Sequence, residues 1–143
     1  MSLMKVSFII PGEPCGKGRP RFTAGGRAYT PAKTANYETL VKWAWQSVEN
    51  KIVWHDAPLR LTVDAYFKQP QSGSRLKHEA MNRGEIRPTK KPDADNILKI
   101  IADALNGIAY HDDAQIVETV VRKWYAPLWA QPQVEVTIEE VVA

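Results

Sequence analysis

Cysteine is almost missing from this sequence of 143 residues, which contains Cys15 and no other. No internal disulfide can form, and a zinc site built on several cysteines is excluded. Long apolar runs are missing too, since no stretch approaches the roughly 18 residues that a membrane-spanning helix requires. The N-terminal residues lack the pattern of a secretory signal. We therefore expect one domain over residues 1–143, a cytoplasmic location and no membrane partner.

A nucleotide-binding loop is also absent, although one segment is rich in glycine. Residues 12–18 place three residues instead of four between the glycines, and no Ser or Thr follows Lys17, so we expect no nucleotide cofactor. Five of the eight glycines and four of the ten prolines lie between Pro11 and Pro31, so regular structure is unfavourable there. The segment is predicted to be a basic loop that carries Lys17, Arg19, Arg21 and Arg27.

The formal net charge of +3 is unevenly distributed. Residues 1–35 contain six basic residues and one acidic residue, whereas residues 100–143 contain seven acidic residues and two basic ones. Phosphates require cations and divalent metals require carboxylates, so this division is typical of a metal-dependent enzyme that acts on a polyanion. The alternative is a protein with two solvated faces of opposite charge.

Hydrophobic periodicity predicts six main elements. Alternation from Leu59 to Phe67 is typical of a half-buried strand, and Thr30 before Pro31 is predicted to cap a helix. The stretch 69–92 is predicted to be a long basic connection. The predicted elements are strand 6–10, helix 31–49, strand 59–67, helix 94–106, strand 114–125 and strand 134–142. The order β-α-β-α-β-β indicates a two-layer α+β fold, with two main helices on one face of a mixed four-stranded sheet.

The chemical signal is concentrated at the start of the second predicted helix. At 100° per residue, Asp95, Lys99, Asp103 and Asn106 fall within about an 80° arc, opposite the apolar residues of the helix. Asp93 at the helix start could cap free amide groups, which is the structural alternative for this residue. Two carboxylates at positions i and i+2 nevertheless form an anionic pair that is costly unless a cation binds it.

Asp112 and Asp113 supply further carboxylates in a turn beyond that helix. An Asp-Asp turn is common in solvated loops, but a reversing chain could bring Asp113 back toward the helix. Three carboxylates would suit Mg²⁺ or Mn²⁺, which could activate a water, while Lys99 would stabilise charge in the transition state. Asp103 is predicted to be the ion-pair partner of Lys99, one turn away.

Residues 91–116, KPDADNILKIIADALNGIAYHDDAQI, resemble the signature of RusA-type Holliday junction resolvases. Residues 11–26 and 30–38 are similar to the phage-type branch of that family. The resemblance implies catalytic roles for Asp93, Asp95, Lys99 and Asp113, with Asp112 as an additional metal ligand. It implies a homodimeric, Mg²⁺-dependent endonuclease, in which Mn²⁺ is expected to substitute, that resolves four-way junction DNA by paired symmetric nicks.

DNA contacts are expected from basic residues in two segments, the loop before the first helix and the approach to the second. These residues are Lys17, Arg19, Arg21, Arg27, Lys90 and Lys91. Two other functions remain open from the sequence. The protein could be a DNA-binding protein without catalysis whose carboxylates hold a structural ion, or a nuclease that acts on flaps, forks or RNA.

Overall fold

The structure is a computed structural model that describes residues 4–141. It contains a mixed four-stranded sheet and three helices. The elements are β1 (Lys5–Pro11), β2 (Arg21–Phe22), β3 (Ala28–Tyr29), α1 (Ala32–Gln46), β4 (Leu59–Phe67), α2 (Arg75–Asn82), α3 (Ala94–Leu105), β5 (Ile116–Tyr125) and β6 (Gln133–Glu140). The main sheet has the order β1-β6-β4-β5, in which β4 and β5 are parallel and the other pairs are antiparallel. The predicted α+β class with a mixed four-stranded sheet is confirmed.

Side chains alternate along β4 as the sequence predicts. Leu59, Leu61 and Val63 are completely buried, whereas Arg60 and Thr62 between them are half-buried on the opposite face. The inward residues of β1, β4 and β6 form one hydrophobic core with those of α1 and α3. Burial of this apolar surface is the main force that holds the helices against the sheet.

The helix α3 follows its predicted periodicity closely. Its five buried residues are Ile97, Ile100, Ile101, Ala104 and Leu105, which are the apolar face expected from the sequence. The helix ends at Leu105, and Gly107 follows with a φ of +76°, the left-handed conformation that glycine adopts readily after a helix. The polar face of α3 is therefore left on the outside of the fold.

Two predictions about helices are wrong. Residues 69–92 contain α2 and are not a continuous connection, because the hydroxyl of Ser74 accepts a hydrogen bond from the Lys77 amide and begins a helix there. Thr30 does not cap α1, since the helix begins at Ala32 and Pro31 occupies the N-cap position without a side-chain hydrogen bond. The observed domain thus has three helices where two were expected.

The glycine-rich segment before α1 also contains some regular structure. Its outer part forms a short hairpin, in which Arg21 and Phe22 of β2 pair with Tyr29 and Ala28 of β3. Strands β5 and β6 begin and end within two residues of the predicted bounds, apart from Val142, which lies outside the described residues. No helix between residues 4 and 141 combines the length and apolar character needed to cross a bilayer.

Candidate functional site: an acidic helix start beside a basic cleft

Asp93 and Asp95 lie at the N-terminal end of α3 with exposed side chains. Asp93 occupies the N-cap position, but its carboxylate accepts no capping hydrogen bond, and Asp95 lies in the first turn. Within residues 4–141, neither carboxylate forms an ion pair or a side-chain hydrogen bond. The side chain of Asp93 therefore does not cap the helix, although the residue is at the N-cap position. Both carboxylates are available to a ligand.

A cleft of about 550 Å³ opens next to Asp93, between the glycine-rich loop, α1 and the start of α3. Four of the six predicted DNA-contacting residues line it, and so does Lys33, which the sequence reasoning missed. Lys33 follows Pro31 in the first turn of α1, so proximity in sequence to the basic loop was the signal that could have identified it. The basic residues of the cleft are Lys17, Arg19, Arg21, Lys33 and Lys91.

Arg27 and Lys90 lie outside the lining of this cleft. The backbone amide of Arg27 donates to Thr23 Oγ1 in the turn of the β2–β3 hairpin, and its side chain is in an exposed position. The backbone carbonyl of Lys90 accepts a hydrogen bond of 2.6 Å from the ammonium of Lys123 in β5. DNA contacts by these residues stay predictions.

Two residues of the glycine-rich loop, Lys17 and Gly18, are hydrogen-bonded through their backbone amides to α3 and α1. The amide of Lys17 donates to the Asn96 carbonyl at 3.0 Å, and the amide of Gly18 donates to Thr34 Oγ1 at 3.0 Å. At Gly16 the backbone approaches α3 so closely that a Cβ atom would lie 2.8 Å from Cβ of Pro92. Only glycine allows the loop backbone to pack this closely against the start of α3. This packing places the basic residues of the loop next to Asp93.

The ammonium of Lys17 is already paired with two acids. It lies 3.1 Å from Glu38 Oε2 in α1 and 3.2 Å from Asp103 Oδ2 in α3. The prediction that Asp103 pairs with Lys99 is therefore wrong, because a residue from the distant loop reaches Asp103 first. Lys99 is exposed, and it forms no ion pair with any residue from 4 to 141.

Asp112 has a structural role in the turn that precedes β5. Its Oδ1 accepts a hydrogen bond from the Ala114 amide, and its own amide donates to Gln115 Oε1, which together form a capping box around a 3-10 turn at Asp113–Gln115. The hydrogen bond from Ala114 holds the pKa of Asp112 below its usual value. Gln115 also donates to the Ala57 carbonyl, which fixes the turn to the segment before β4.

Asp113 lies at the opposite end of α3 from Asp95. Its amide donates to Asn106 Oδ1 at 3.0 Å, and Asn106 is the C-cap residue of the helix. Desolvation raises the pKa of Asp113, although its side chain is in an exposed position, and the neighbouring acids Asp112 and Asp103 raise it further. Asp93 and Asp95 are not among these neighbours, which agrees with their position at the far end of α3.

Of the four predicted metal ligands, Asp93 and Asp95 therefore do not meet Asp112 and Asp113 within one chain. An α-helix rises 1.5 Å per residue, so Asp95 and Asn106 are about 16 Å apart along the axis of α3. The side chain of Asp95 slants toward the helix N-terminus, away from Asp113. No group of three acidic, histidine or cysteine side chains in the described part of the chain could hold a metal ion.

The fold and the site together define an α+β protein with a strongly basic cleft beside an exposed acidic pair. Residues 11–139 match the family model described as endodeoxyribonuclease RusA, and the chain belongs to this family. It is also similar to a protein of Bacillus subtilis (strain 168) described as uncharacterized protein YqaN. The two are 38% identical over 144 residues, which cover 96% of this chain and 98% of the relative.

Proposed function

We propose that this protein is a Mg²⁺-dependent, structure-selective endodeoxyribonuclease that resolves four-way DNA junctions by paired nicks in cytoplasmic recombination and repair. The observation that carries the proposal is the position of Asp93, which lies in the wall of a cleft lined by five basic side chains. Membership of an endodeoxyribonuclease family supports phosphodiester hydrolysis as the reaction.

The protein groups would divide the work between binding and chemistry. Arg19, Arg21 and Lys91 in the cleft would neutralise phosphates of one strand and hold its backbone against the start of α3. Lys99, one turn beyond Asp95 on the same exposed face, would stabilise the charge that develops on the phosphate in the transition state. Within residues 4–141, the acids of one chain do not form a three-carboxylate site.

A second candidate function is DNA binding without catalysis. A DNA-binding protein without catalysis would need the basic cleft but no assembled group of carboxylates, and within residues 4–141 no such group is present. Nucleases for flaps, forks or RNA form a third possibility, since phosphate contacts by themselves do not distinguish among these substrates.

A cleavage assay on five labelled substrates separates these functions. The substrates are a four-way junction, a fork, a flap, a duplex and an RNA hairpin, each with Mg²⁺ and with chelator. The proposal expects paired nicks in the junction with Mg²⁺, and at least about 100-fold less product with chelator. Binding without any product would support the non-catalytic protein, and faster cleavage of another substrate would identify that substrate.

A further inference from the structure

We propose that three residues, Arg87, Lys123 and Trp124, are positioning residues that hold the segment before α3 in the wall of the cleft. We call them the β5 clamp, because two of them belong to β5. The segment carries Lys91 and Asp93, which both line the cleft. This inference rests on the proposed function, since Asp93 is a predicted metal ligand and Lys91 is a predicted DNA contact. The clamp acts through the protein backbone and not by contact with DNA.

Residues 87–92, between α2 and α3, form few hydrogen bonds with the rest of the protein. Two of the six are prolines, which have no amide hydrogen, and none of the other four amides donates to a residue between 4 and 141. Only two hydrogen bonds join this segment to other residues of that range. Arg87 Nε donates to the Lys123 carbonyl at 2.8 Å, and the Lys123 ammonium donates to the Lys90 carbonyl at 2.6 Å. Both bonds therefore depend on one residue of β5.

The side chain of Arg87 also stacks on Trp124. Its guanidinium carbon lies 3.8 Å from the ring centre of Trp124, which is within the range of a cation–π contact. The indole is in turn attached to the sheet, because Trp124 Nε1 donates to Asp64 Oδ1 in β4 at 2.9 Å. At Gly84 the backbone passes so close to the same ring that a Cβ atom would lie 2.9 Å from its Cζ3 atom. The chain between α2 and α3 therefore crosses β5 on the surface of Trp124.

The start of α3 is held by the β5 clamp and by the glycine-rich loop. In the first turn of the helix, the Asn96 carbonyl accepts a hydrogen bond of 3.0 Å from the Lys17 amide. The clamp holds the Lys90 carbonyl, and Lys91 and Asp93 lie between these two attachments in the chain. Without the clamp, both side chains can shift relative to the basic residues of the loop. A misplacement of about 1 Å near a reacting centre can cost about 100-fold in rate.

The alternative role for Arg87 is a direct contact with a DNA phosphate, which its exposed position would allow. The contacts favour positioning, because the guanidinium is already bonded to the Lys123 carbonyl and stacked on Trp124. Arg87 and Lys123 also lie outside the lining of the basic cleft. A lysine at position 87 separates the two roles. It keeps the positive charge that a phosphate requires, but it does not reproduce a planar group of donors stacked on a ring.

Single-turnover cleavage of a labelled four-way junction, with Mg²⁺ and saturating protein, tests the proposal. We expect Arg87→Ala, Arg87→Lys and Trp124→Leu each to cleave at least about 10-fold more slowly than wild type. Their affinity for the junction in Ca²⁺ should stay within about 2-fold of wild type, with an unchanged salt slope, because no phosphate contact is lost. Trp124→Phe should keep more of the rate than Trp124→Leu, since a phenyl ring still offers its face to the guanidinium.

The matched control is Arg83→Ala, which removes the same charge from the same connection between helices. The side chain of Arg83 pairs with Glu85 at an exposed position and, within residues 4–141, has no bond to β5. This variant should cleave within about 2-fold of the wild-type rate, as expected for an exposed ion pair. Equal rate losses in Arg83→Ala and Arg87→Ala would mean that charge, and not the clamp, is responsible, and would overturn the proposal.

Amide hydrogen exchange provides a readout that does not depend on cleavage. The Ile97 amide donates to the Asp93 carbonyl at 3.0 Å, so its exchange reports how firmly the start of α3 is held. We expect this amide to exchange at least about 5-fold faster in both Arg87 variants, while the amides of β4 exchange as in wild type. A general loss of stability would instead accelerate exchange in β4 as well. Slow cleavage with wild-type exchange at Ile97 would contradict positioning by the clamp.

Failure of this inference can be distinguished from failure of the proposed function. If wild type cleaves the junction and Arg87→Lys restores the rate that Arg87→Ala loses, Arg87 contacts phosphate, so the positioning role is wrong and the nuclease function stands. A wild-type protein that cleaves no DNA would overturn the proposed function. Exchange at Ile97 then decides the inference: faster exchange in both Arg87 variants but not in Arg83→Ala supports the clamp, and equal exchange in all of them overturns it.

Discussion

The ammonium of Lys17 lies 3.2 Å from the carboxylate of Asp103, so the basic loop is tied to the helix that carries Asp93 and Asp95. A second ion pair of 3.1 Å joins the same ammonium to Glu38 in α1. Burial lowers the pKa of Lys17, but hydrogen bonds from its ammonium to Glu38 and Asp103 outweigh this effect and raise the pKa above its usual value. Lys17 therefore connects three segments of the chain and stays charged.

This arrangement predicts that Lys17→Ala and Arg19→Ala have different effects. Lys17→Ala should lower the free energy of unfolding by about 1 kcal/mol, because it removes both ion pairs of a half-buried ammonium. Arg19→Ala should change it by less than about 0.5 kcal/mol, since Arg19 is exposed. Urea denaturation of both variants measures the difference. Equal stability of the two variants would contradict the structural role of Lys17.

The cleft predicts that Arg19→Ala combined with Arg21→Ala weakens junction binding and flattens its salt dependence. Each lost phosphate contact should reduce the slope of log affinity against log salt by about 0.9 on B-form duplex. The measurement is a salt titration in Ca²⁺, which is expected to suppress cleavage. Arg75→Ala is the control, because Arg75 is exposed on α2 and does not line the cleft. If the double variant and the control give the same plot of log affinity against log salt, Arg19 and Arg21 do not contact phosphates.

Asp93→Asn and Asp95→Asn are each expected to reduce junction cleavage by about 100-fold or more while binding survives or improves. Asn has nearly the same shape as Asp but lacks the charge that a metal requires, and loss of negative charge helps phosphates to approach. Asp113→Asn should behave in the same way. Asp56→Asn, at an exposed position outside the cleft lining, is the control. If a variant keeps wild-type turnover with Mg²⁺, the substituted residue is not a metal ligand.

Lys99→Ala is expected to reduce the cleavage rate more than the affinity for the junction. An exposed ammonium one turn after Asp95 would act chiefly on charge that appears in the transition state. Lys99→Arg should not restore the rate, because a planar guanidinium differs from an ammonium in reach and geometry. Single-turnover rates at saturating DNA, compared with the dissociation constant in Ca²⁺, test this. Equal losses of rate and affinity would argue against the role.

Asp64→Asn should lower stability at neutral pH but have little effect in acid. Asp64 in β4 accepts two hydrogen bonds from Arg122, at 2.6 and 3.0 Å, and one from Trp124 at 2.9 Å. The bonds from Arg122 are the main reason why the pKa of Asp64 lies below its usual value. A carboxyl with a lowered folded pKa stabilises the protein above the unfolded pKa of about 4, and this contribution disappears as the pH falls through the folded value.

The measurement for this variant is urea unfolding at several pH values. We expect Asp64→Asn to cost about 1 to 3 kcal/mol at pH 7, and the difference from wild type to shrink below about pH 4. Asp56→Asn at the same pH values controls for the general effect of removing one carboxylate. A constant difference from pH 7 to pH 3 would show that the ionised form of Asp64 is not the source of its stabilising effect.

Local patterns in the sequence were sufficient to predict several parts of this protein. The alternation along β4 and the apolar face of α3 match the structure, because side-chain direction within one element depends on backbone periodicity alone. The same periodicity places Asp95 and Lys99 one turn apart on the exposed face of α3. The sequence did not predict helix α2, because prolines and glycines flank this short helix and favour a loop, and only the structure shows that Ser74 caps it.

Only the tertiary structure decided how distant segments meet. The sequence did not reveal that Lys17 would pair with Asp103, that the sheet order would be β1-β6-β4-β5, or that Asp113 would lie beside Asn106. These contacts join residues whose proximity depends on how whole elements pack, and packing is set by the shape and burial of the entire core. Periodicity determines which face a side chain occupies, whereas the packed core determines which faces come together.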